Sequence, residues 1–397
     1  SSWAHFRAPG APTLSCRRAA AAPLVRSGRR RPRRMCGPSP PAAASPSPVG
    51  RPQLYASLSR PGADFLVGEW RRPINDLQEQ EVGGGHKAIH DEETAAKVGF
   101  SGAPIHGTVH WSQFTPLLLQ GFGPAWFETG SISVHFVTPV THLQPVRAFM
   151  ARPDPSKAAQ QVEIWMEHVD GRVVFEGTAS VGLKPGEVQT MCQKKIAGVK
   201  PVKGSLVFVR HPVGTKSTNV EPARIDFKKK VGPFFPFTLE QKLQVITEFH
   251  PWFSEDAGSS SPWGRAILPP EAFNQIMLGY AGSGTSEALR WPELPGDAWL
   301  EAACGGRTPV GLFGACEVFL HNGPIFVGET YDITRELVGC GEIKRAEFKW
   351  ERTLLREPGS GKLVAEMTLQ TLMLKDSMDG YAELRVRSDA VASKAKL

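Results

Sequence analysis

The sequence contains no apolar run of about 18 residues, the length that predicts a membrane-spanning helix. Its six cysteines are scattered, with no Cys-x-x-Cys pair and no histidines at metal-ligand spacing, which argues against a disulfide framework or a zinc site. Phosphate-binding glycine loops, a Gly-x-Ser-x-Gly elbow and a His-Glu-x-x-His helix are also missing. We therefore expect no membrane span, no metal and no nucleotide cofactor.

Acidic residues are absent from the first 63 positions, which contain eleven arginines and no lysine. The rest of the chain has 35 basic and 39 acidic residues, a formal charge of −4, and this balance argues against nucleic-acid binding. An arginine-rich, acid-free N-terminus is typical of a transit peptide. We expect residues 1–63 to be a disordered tail that targets an organelle, either mitochondrion or plastid. A plain basic arm, or a leader before a true start at Met35, fits the same composition.

Two segments of the chain repeat the same order of features. In the first, an apolar stretch typical of a helix at 109–122 precedes a strand-like run at 131–140 and further alternating strands. In the second, a helical stretch at 271–282 precedes a strand-like run at 313–328 and further strands. The matching order favours a duplication over two unrelated domains.

Turn residues separate the predicted strands. Asp170-Gly171 lies between two runs of alternating apolar and polar residues, which is a strong signal for a β-hairpin. Pro-Gly-Ser-Gly at 358–361 lies between two such runs in the second segment. One apolar helix followed by several antiparallel strands, present twice, predicts an α+β fold in which a sheet wraps around a helix.

The loop before the first helix has a motif-like sequence. It reads GGHKAIH at 84–90, followed by GF at 99–100 and PIHG at 104–107. This order resembles the MaoC-like hydratase/dehydratase family, whose loop has the form G-D-x-N-P-apolar-H and whose central helix begins with apolar-x-H-G. SISVHFVTPVTHLQPVRAFM at 131–150 is also similar to the family's strand-loop-strand. The resemblance covers roughly residues 70–182.

The second segment resembles the same family less specifically. TLEQKLQVITEF at 238–249 looks like the short helix near the catalytic loop, and PIFVGE at 324–329 is similar to the family's connection between strands. Two such halves imply a double hot dog, with two antiparallel sheets that each wrap around a long central helix. We predict a tail at 1–63, a first hot-dog domain at 65–187, a linker at 188–205, a second, degenerate hot-dog domain at 206–376 and a C-terminal tail at 377–397.

The family adds water to a trans-2-enoyl thioester, or removes it from an (R)-3-hydroxyacyl thioester. The resemblance places His90 on the catalytic histidine and Gly107 on the residue whose backbone N–H polarises the thioester carbonyl at a helix N-terminus. Phe114 and Thr115 fall where the family lines its acyl pocket, although helix packing also explains Phe114. The resemblance implies no cofactor and no metal. The implied partner is an acyl thioester of CoA or of acyl-carrier protein.

The family's catalytic aspartate has no counterpart here. Five residues before His90, where the family has Asp, the chain has Gly85. An acid–base group contributes roughly 10²–10⁴-fold in rate, so either another group replaces it or the hydration chemistry is lost. His86, next to the vacant position, is the candidate catalytic base. The acids that follow the histidine are better explained as caps of the next helix: Asp91, Glu92 and Glu93.

Glu271 is the candidate acid of the second segment. Its position is similar to the helix carboxylate of other hot-dog dehydratases, which pair that group with a histidine. His250 lies 21 residues earlier, which does not match their spacing. A glutamate in a first helical turn after proline is also expected from the helix dipole alone. In double hot dogs one half often keeps the chemistry while the other houses the acyl chain, so the resemblance implies that residues 206–376 house the acyl chain.

Three functions remain open from the sequence. The first is an enoyl-thioester hydratase or 3-hydroxyacyl-thioester dehydratase of fatty-acyl metabolism, a lyase whose site lacks the usual Asp. The second is a non-catalytic protein that binds acyl thioesters or assembles with partners, which Gly85 favours directly. The third is an acyl thioesterase, for which residues 108–120 supply no acid. Two hot dogs in one chain are compatible with a monomer, and a homodimer stays open.

Overall fold

The computed structural model describes most of the chain after the basic segment: residues 64–82, 86–202, 204–232, 235–278, 289–294 and 309–394. The predicted tail at 1–63 lies outside the described residues, as does Gly85. The backbone of His86 is described, but its side chain is not.

A ten-stranded antiparallel sheet spans both halves of the sequence, and its neighbours run in the order β1-β5-β6-β7-β4-β11-β14-β13-β12-β8. The first half supplies β1 (Phe65–Val67), β4 (Gly130–Phe136), β5 (Val146–Ala151), β6 (Gln160–His168) and β7 (Val173–Val181). The second half supplies β8 (Glu221–Ala223), β11 (Gly311–Leu320), β12 (Tyr331–Glu342), β13 (Ala346–Arg356) and β14 (Leu363–Leu374). Two small hairpins complete the strands: β2 (Glu81–Val82) with β3 (His86–Lys87), and β9 (Lys230–Gly232) with β10 (Phe235–Thr238).

The two halves of the sheet have the same strand order. Counted along the chain within each half, the five strands lie in the order 1-3-4-5-2 from the outer edge inward. The halves join where β4 pairs with β11, with Ile132 opposite Val318 and Val134 opposite Cys316. This repeated order in one continuous sheet confirms the predicted α+β fold and the similarity of the two halves.

Helical segments pack against the sheet. In the first half a 3₁₀ helix (Gly107–Phe114) leads directly into α2 (Thr115–Phe122), and in the second half α6 (Pro270–Met277) has the corresponding place. The predicted single helix at 109–122 is therefore divided. Pro116, which has no N–H for a preceding carbonyl, lies at the start of α2, so the turn before it closes as 3₁₀. The helix predicted at 271–282 corresponds to α6, and its predicted last four residues, 279–282, lie outside the described residues.

Buried aromatic side chains join the two halves around these helices. Trp126 stacks on Phe273 with ring centroids 6.3 Å apart, and both side chains are almost completely buried. Phe127 of the first half meets Phe253 of the second edge to face at 6.1 Å. Each such ring contributes roughly 1.5–3 kcal/mol by burial, so the contact between the halves belongs to the hydrophobic core.

The predicted turns are confirmed. Asp170-Gly171 connects β6 to β7, and Gly171 has a positive φ of 80°, which glycine adopts without strain. The turn at 358–361 connects β13 to β14, where Glu357 N–H donates to the carbonyl oxygen of Lys362 at 3.0 Å.

The predicted linker includes a helix, α4 (Met191–Ala197). Thr190 and Gln193 form a capping box at its start, and Cys192 is fully buried against the sheet, with its N–H donating to Ser133 Oγ at 3.1 Å. The other helices are α1 (Glu92–Lys97), α3 (Trp126–Thr129), α5 (Leu239–Leu243) and α7 (Tyr381–Lys394). Within the described ranges, none of the helices has the length and apolar character needed to cross a membrane.

Candidate functional site

A cavity of about 1000 Å³ lies where the loop before α1, the 3₁₀ helix and the second half of the sheet meet. His90, His106 and Gly107 form part of its wall, so the structure brings the two main predicted site residues to one space. Apolar side chains from both halves complete much of the lining: Phe136, Val140, Phe235, Leu278, Phe313 and Leu369. An apolar cavity with a few convergent polar groups is the usual form of a small-molecule site.

His90 is held in one orientation. Its side chain is buried, and Nδ1 lies 2.6 Å from the carbonyl oxygen of Pro104. A carbonyl oxygen only accepts hydrogen bonds, so Nδ1 carries the proton and Nε2 keeps a free lone pair. Burial lowers the pKa of His90, against the opposing effects of the Pro104 carbonyl and Asp76. His90 is therefore a neutral imidazole at pH 7 whose Nε2 can accept a proton.

The backbone around His90 explains this orientation. Asp91 is the N-cap of α1 and accepts the N–H of Thr94 at 2.9 Å, which fixes the direction of the chain just after His90. The side-chain amide of Asn75 donates to the carbonyl oxygen of His90 at 2.8 Å. These contacts fix the backbone at and after His90. The bond to Pro104 then fixes the orientation of the ring.

Gly107 is the first residue of the 3₁₀ helix. The hydrogen bonds found among the described residues include no acceptor for its N–H, which is the expected state of a first helical donor. A Cβ added to Gly107 would lie 2.8 Å from two carbon atoms of the Phe136 ring, so no larger residue fits without moving that ring. The backbone therefore reaches the cavity wall with an N–H available for an anionic oxygen.

His106 precedes Gly107 and supports the same wall. Its Nδ1 lies 2.9 Å from Thr108 Oγ1, and its ring lies edge to face with that of His90, with centroids 5.9 Å apart. Burial, together with neighbouring His90 and Lys242, holds the pKa of His106 well below its usual range. Two neutral imidazoles thus share the cavity wall with Gly107.

A buried ionic cluster that sequence reasoning missed lies behind this wall. Lys242 is ion-paired to Asp76 of the first half and to Glu271 of the second, with Nζ 2.9 Å from Glu271 Oε1. Burial lowers the pKa of Lys242, but the two carboxylates outweigh it and raise the pKa. Burial raises the pKa of Glu271. No local motif marks Asp76, because its partner is 166 residues away.

The other predicted residues have different surroundings. Phe114 and Thr115 are buried, and Phe114 packs on Phe175 at 5.4 Å rather than on the cavity wall. Phe114 ends the 3₁₀ helix and Thr115 begins α2, and both side chains are buried in the core. His250 is an N-cap that accepts the N–H of Trp252 at 3.3 Å, outside the cavity.

The acids after His90 serve the helix start. Asp91 is its N-cap, Glu92 accepts the N–H of Ala103 at 3.0 Å, and Glu93 pairs with Lys97 at 2.8 Å. None of these three acids lines the cavity. Their contacts agree with the capping and flanking interpretation that the sequence favoured.

Backbone pairing relates the helix starts of the two halves residue by residue. Ile105 N–H donates to the carbonyl oxygen of Val140, and Leu268 N–H donates to that of Ile325, both at 2.8 Å. Each acceptor lies six residues before the next strand of its half, β5 or β12. Positions 106–108 therefore correspond to positions 269–271.

At these corresponding positions the second half lacks two polar groups that the first half has, a backbone N–H and an imidazole. Pro270 occupies the position of Gly107 and has no N–H to donate. The residue before the N-cap of the neighbouring helix is His90 in the first half and Phe237 in the second. An oxyanion donor and an imidazole are thus combined at only one of these two helix starts.

Within the described part of the chain, no group of three or more His, Cys, Asp or Glu side chains is placed to hold a metal ion.

The strand order and the site define the class of protein: a double hot dog with a histidine-lined cavity. The hot-dog fold predicted by the resemblance to MaoC-like proteins is thereby confirmed, but its main strands form one continuous sheet instead of two, and the described helices α2 and α6 are short. No protein-family model matches this chain, and no curated protein matches it.

Solved structures similar in fold include a MaoC-like dehydratase with 12% sequence identity and a TM-score of 0.42, covering 79% of this chain and 98% of that one. Rv0216 from Mycobacterium tuberculosis, a conserved hypothetical protein with a double hot-dog fold, is 12% identical with a TM-score of 0.45, covering 81% and 98%. The dehydratase domain of PpsC from the same organism, solved with C12:1-CoA, is 9% identical with a TM-score of 0.33, covering 68% and 85%.

Proposed function

We propose that the protein is an acyl-thioester hydro-lyase that interconverts a trans-2-enoyl thioester and a 3-hydroxyacyl thioester. The observation that supports this most directly is the geometry of His90. Its Nδ1 is held by Pro104, and it shares one cavity wall with the free N–H of Gly107. A proton acceptor and an oxyanion donor therefore converge on one apolar space, which is what hydration of an enoyl thioester requires.

The proposed hydration uses His90 for both proton transfers. Nε2 takes a proton from water as the water oxygen bonds to C3 of the enoyl group. The C2–C3 π electrons move toward the carbonyl, and the resulting enolate oxygen accepts the N–H of Gly107. The imidazolium then returns its proton to C2, which regenerates neutral His90. Because burial lowers the pKa of His90, its protonated form is a stronger acid than an ordinary imidazolium, which favours the return of this proton.

This route requires no aspartate. A single imidazole that accepts and then returns the proton replaces the two groups of the family's pair. The carboxylates of the described cavity lining each form an ion pair: Glu342 with Lys375 at 2.8 Å, and Glu351 through one of its two oxygens with Lys349 at 3.0 Å. We infer that the reaction is slower than with an aspartate present, by up to the roughly 10²–10⁴-fold that such a group contributes.

The thioester carrier is proposed to be CoA or acyl-carrier protein, both of which carry phosphate. Lys195 and Lys200 belong to the cavity lining and would attract such a group. Two halves that together supply the cavity support a working monomer. An organellar setting in fatty-acyl metabolism is proposed from the acid-free, arginine-rich residues 1–63.

A non-catalytic acyl-thioester-binding protein is the second candidate. Glycine in place of the carboxylate at position 85 favours it, since binding requires only the cavity and the N–H of Gly107. A thioesterase has less support, because none of the residues 108–120 is acidic.

The deciding experiment follows the absorbance of the conjugated 2-enoyl thioester when crotonyl-CoA and longer trans-2-enoyl-CoAs are mixed with the purified full chain. Hydration by the wild type, lost in His90→Ala and retained in His250→Gln, would support the hydro-lyase. His250 is a suitable control because its imidazole lies outside the cavity. Tight binding of enoyl-CoA with no hydration at high protein concentration would instead identify a binding protein.

A further inference from the structure

Part of the second-half wall of the cavity carries charged side chains, beside the apolar ones that suit an alkyl chain. Arg335 of β12 and Lys349 and Glu351 of β13 all belong to the lining. Residues 349, 351 and 353 alternate along β13 and so point to the same face of the sheet. Arg335 pairs with Thr353 across the two strands, which places its side chain on that face as well.

Arg335 is fixed in this wall by two hydrogen bonds. Its Nε donates to Thr353 Oγ1 at 3.0 Å, and its Nη2 donates to the carbonyl oxygen of Met277 at the end of α6, also at 3.0 Å. A guanidinium held at two points keeps a defined position, and five donors leave it capacity for a further acceptor.

Glu351 has an unsatisfied oxygen. Its side chain is only 6% exposed, and Oε2 lies 3.0 Å from Lys349 Nζ. Oε1 is buried and has no hydrogen-bond partner among the described residues. Burial alone would raise the pKa of Glu351, but Lys349 and Arg335 outweigh it, so the pKa lies below its usual range and the group is a carboxylate. A buried carboxylate oxygen without a donor is costly unless a ligand supplies the donor.

We propose that Glu351 and Arg335 form a polar subsite for a hydroxyl group on the acyl chain of the thioester. The hydroxyl hydrogen would be donated to Glu351 Oε1, and the hydroxyl oxygen would accept from the Arg335 guanidinium. A hydroxyl satisfies both residues because it donates and accepts at once. This inference deepens the proposed function, since it rests on an acyl thioester occupying the cavity.

Other substituents fit this subsite less well. A carboxylate on the acyl chain would meet the negative charge of Glu351, and an ammonium would meet the positive charges of Arg335 and Lys349. An unsubstituted alkyl chain would exclude water from Glu351 Oε1 and supply no donor in its place. The free energy of this unsatisfied oxygen would weaken binding. The subsite therefore selects a neutral, hydrogen-bonding chain.

The test is equilibrium binding of saturated acyl-CoAs, which cannot be hydrated, to the full chain. The set consists of one chain length without a substituent, with a hydroxyl at successive carbons from C4 onward, which the proposed reaction cannot dehydrate, and with a terminal carboxyl. We expect at least one hydroxylated isomer to bind about 10- to 100-fold more tightly than the unsubstituted chain, the range that a hydrogen bond to a charged group supplies.

The variants assign this preference to Glu351. Glu351→Leu is expected to bind the unsubstituted chain at least as well as the wild type and to lose the hydroxyl preference. Glu351→Gln retains an acceptor oxygen and keeps part of the preference, which separates the missing hydrogen bond from misfolding. Glu336→Gln is the matched control, because Glu336 is an acid of the adjacent strand β12 that pairs with Arg352 at 2.7 Å and does not line the cavity.

A hydroxyl preference that Glu351→Leu abolishes and Glu336→Gln retains supports the subsite. Equal affinity for all isomers, preference for the carboxylated chain, or a preference that survives in Glu351→Leu overturns it. The measurement is independent of catalysis. A preference seen in a protein that does not hydrate enoyl-CoA would leave the subsite standing and refute the hydro-lyase, and hydration without a preference would do the reverse.

Discussion

Gly107 and Pro270 occupy equivalent positions at the starts of the two corresponding helices, and only Gly107 has a backbone N–H. Glycine fits at position 107 because it has no Cβ, which would collide with the ring of Phe136. Proline removes the same donor covalently. These two helix starts therefore differ in whether the backbone can offer a donor to an anionic oxygen.

Replacing Gly107 by alanine is expected to lower kcat/KM for enoyl-CoA hydration by roughly 10²–10³-fold, the value of one oxyanion donor. The added Cβ, 2.8 Å from the Phe136 ring, would push the ring or the helix start out of place. The double variant Gly107→Ala/Phe136→Ala removes that clash and is expected to regain part of the loss. Pro270→Ala is the matched control and should leave the rate nearly unchanged. Equal losses in the Gly107 and Pro270 variants would contradict the assignment.

The pH dependence of hydration provides a test of His90. Burial lowers its pKa below the ordinary value of 6.5, so it stays unprotonated and active as the pH falls through that value. A profile of kcat/KM against pH is expected to be flat through pH 6.5 and to decline only at a lower pH. A decline centred at or above 6.5 would show that another group, or an exposed imidazole, accepts the proton.

His110 is expected to make the fold sensitive to acid. Burial lowers its pKa to about 3, whereas the unfolded chain has an imidazole pKa of about 6.5. Its contribution to stability is complete above pH 6.5 and is lost as the pH falls toward 3, by about 2 kcal/mol between pH 6.5 and 5. The thermal midpoint of His110→Gln should therefore depend less steeply on pH than that of the wild type. Parallel curves for the two proteins would rule this out.

Lys242→Met is expected to destabilise the protein by about 3–5 kcal/mol, because it leaves Asp76 and Glu271 buried without a cation. The triple variant that also carries Asp76→Asn and Glu271→Gln removes the buried charge and should recover much of the loss. Denaturant unfolding measures both effects.

Glu329→Gln is the control for this series. Glu329 forms an exposed ion pair with Arg265, and pairs of that kind contribute only about 0–1 kcal/mol. A Lys242→Met variant no less stable than Glu329→Gln would show that the buried cluster does not hold the halves together.

Local sequence patterns were sufficient for much of the fold. Asp170-Gly171 predicted a hairpin because few residue pairs adopt the backbone angles of a two-residue turn. Apolar alternation predicted strands because side chains of a strand point to opposite faces. The same reasoning could not foresee the division of the first helix near Pro116, where a missing N–H decides between α and 3₁₀ turns.

The site was predictable where it depends on neighbours in the chain. PIHG at 104–107 resembles the family's helix start, and the resemblance of the loop pointed to His90 as a candidate. The proton position on His90 was not predictable, because it depends on the carbonyl of Pro104, 14 residues away. Asp76 and Lys242 have no local signature, and the sequence marked Glu271 only by its position in a first helical turn.

The turns at 170–171 and 358–361, and the glycine in place of a carboxylate at position 85, can be read from the sequence alone. These features depend on backbone sterics and residue chemistry that act over a few positions. The tertiary structure decided which imidazole is neutral, which charges are paired and which oxygen of Glu351 is left without a donor. Those properties depend on burial and on partners distant in the chain, and they exist only once the two halves have packed together.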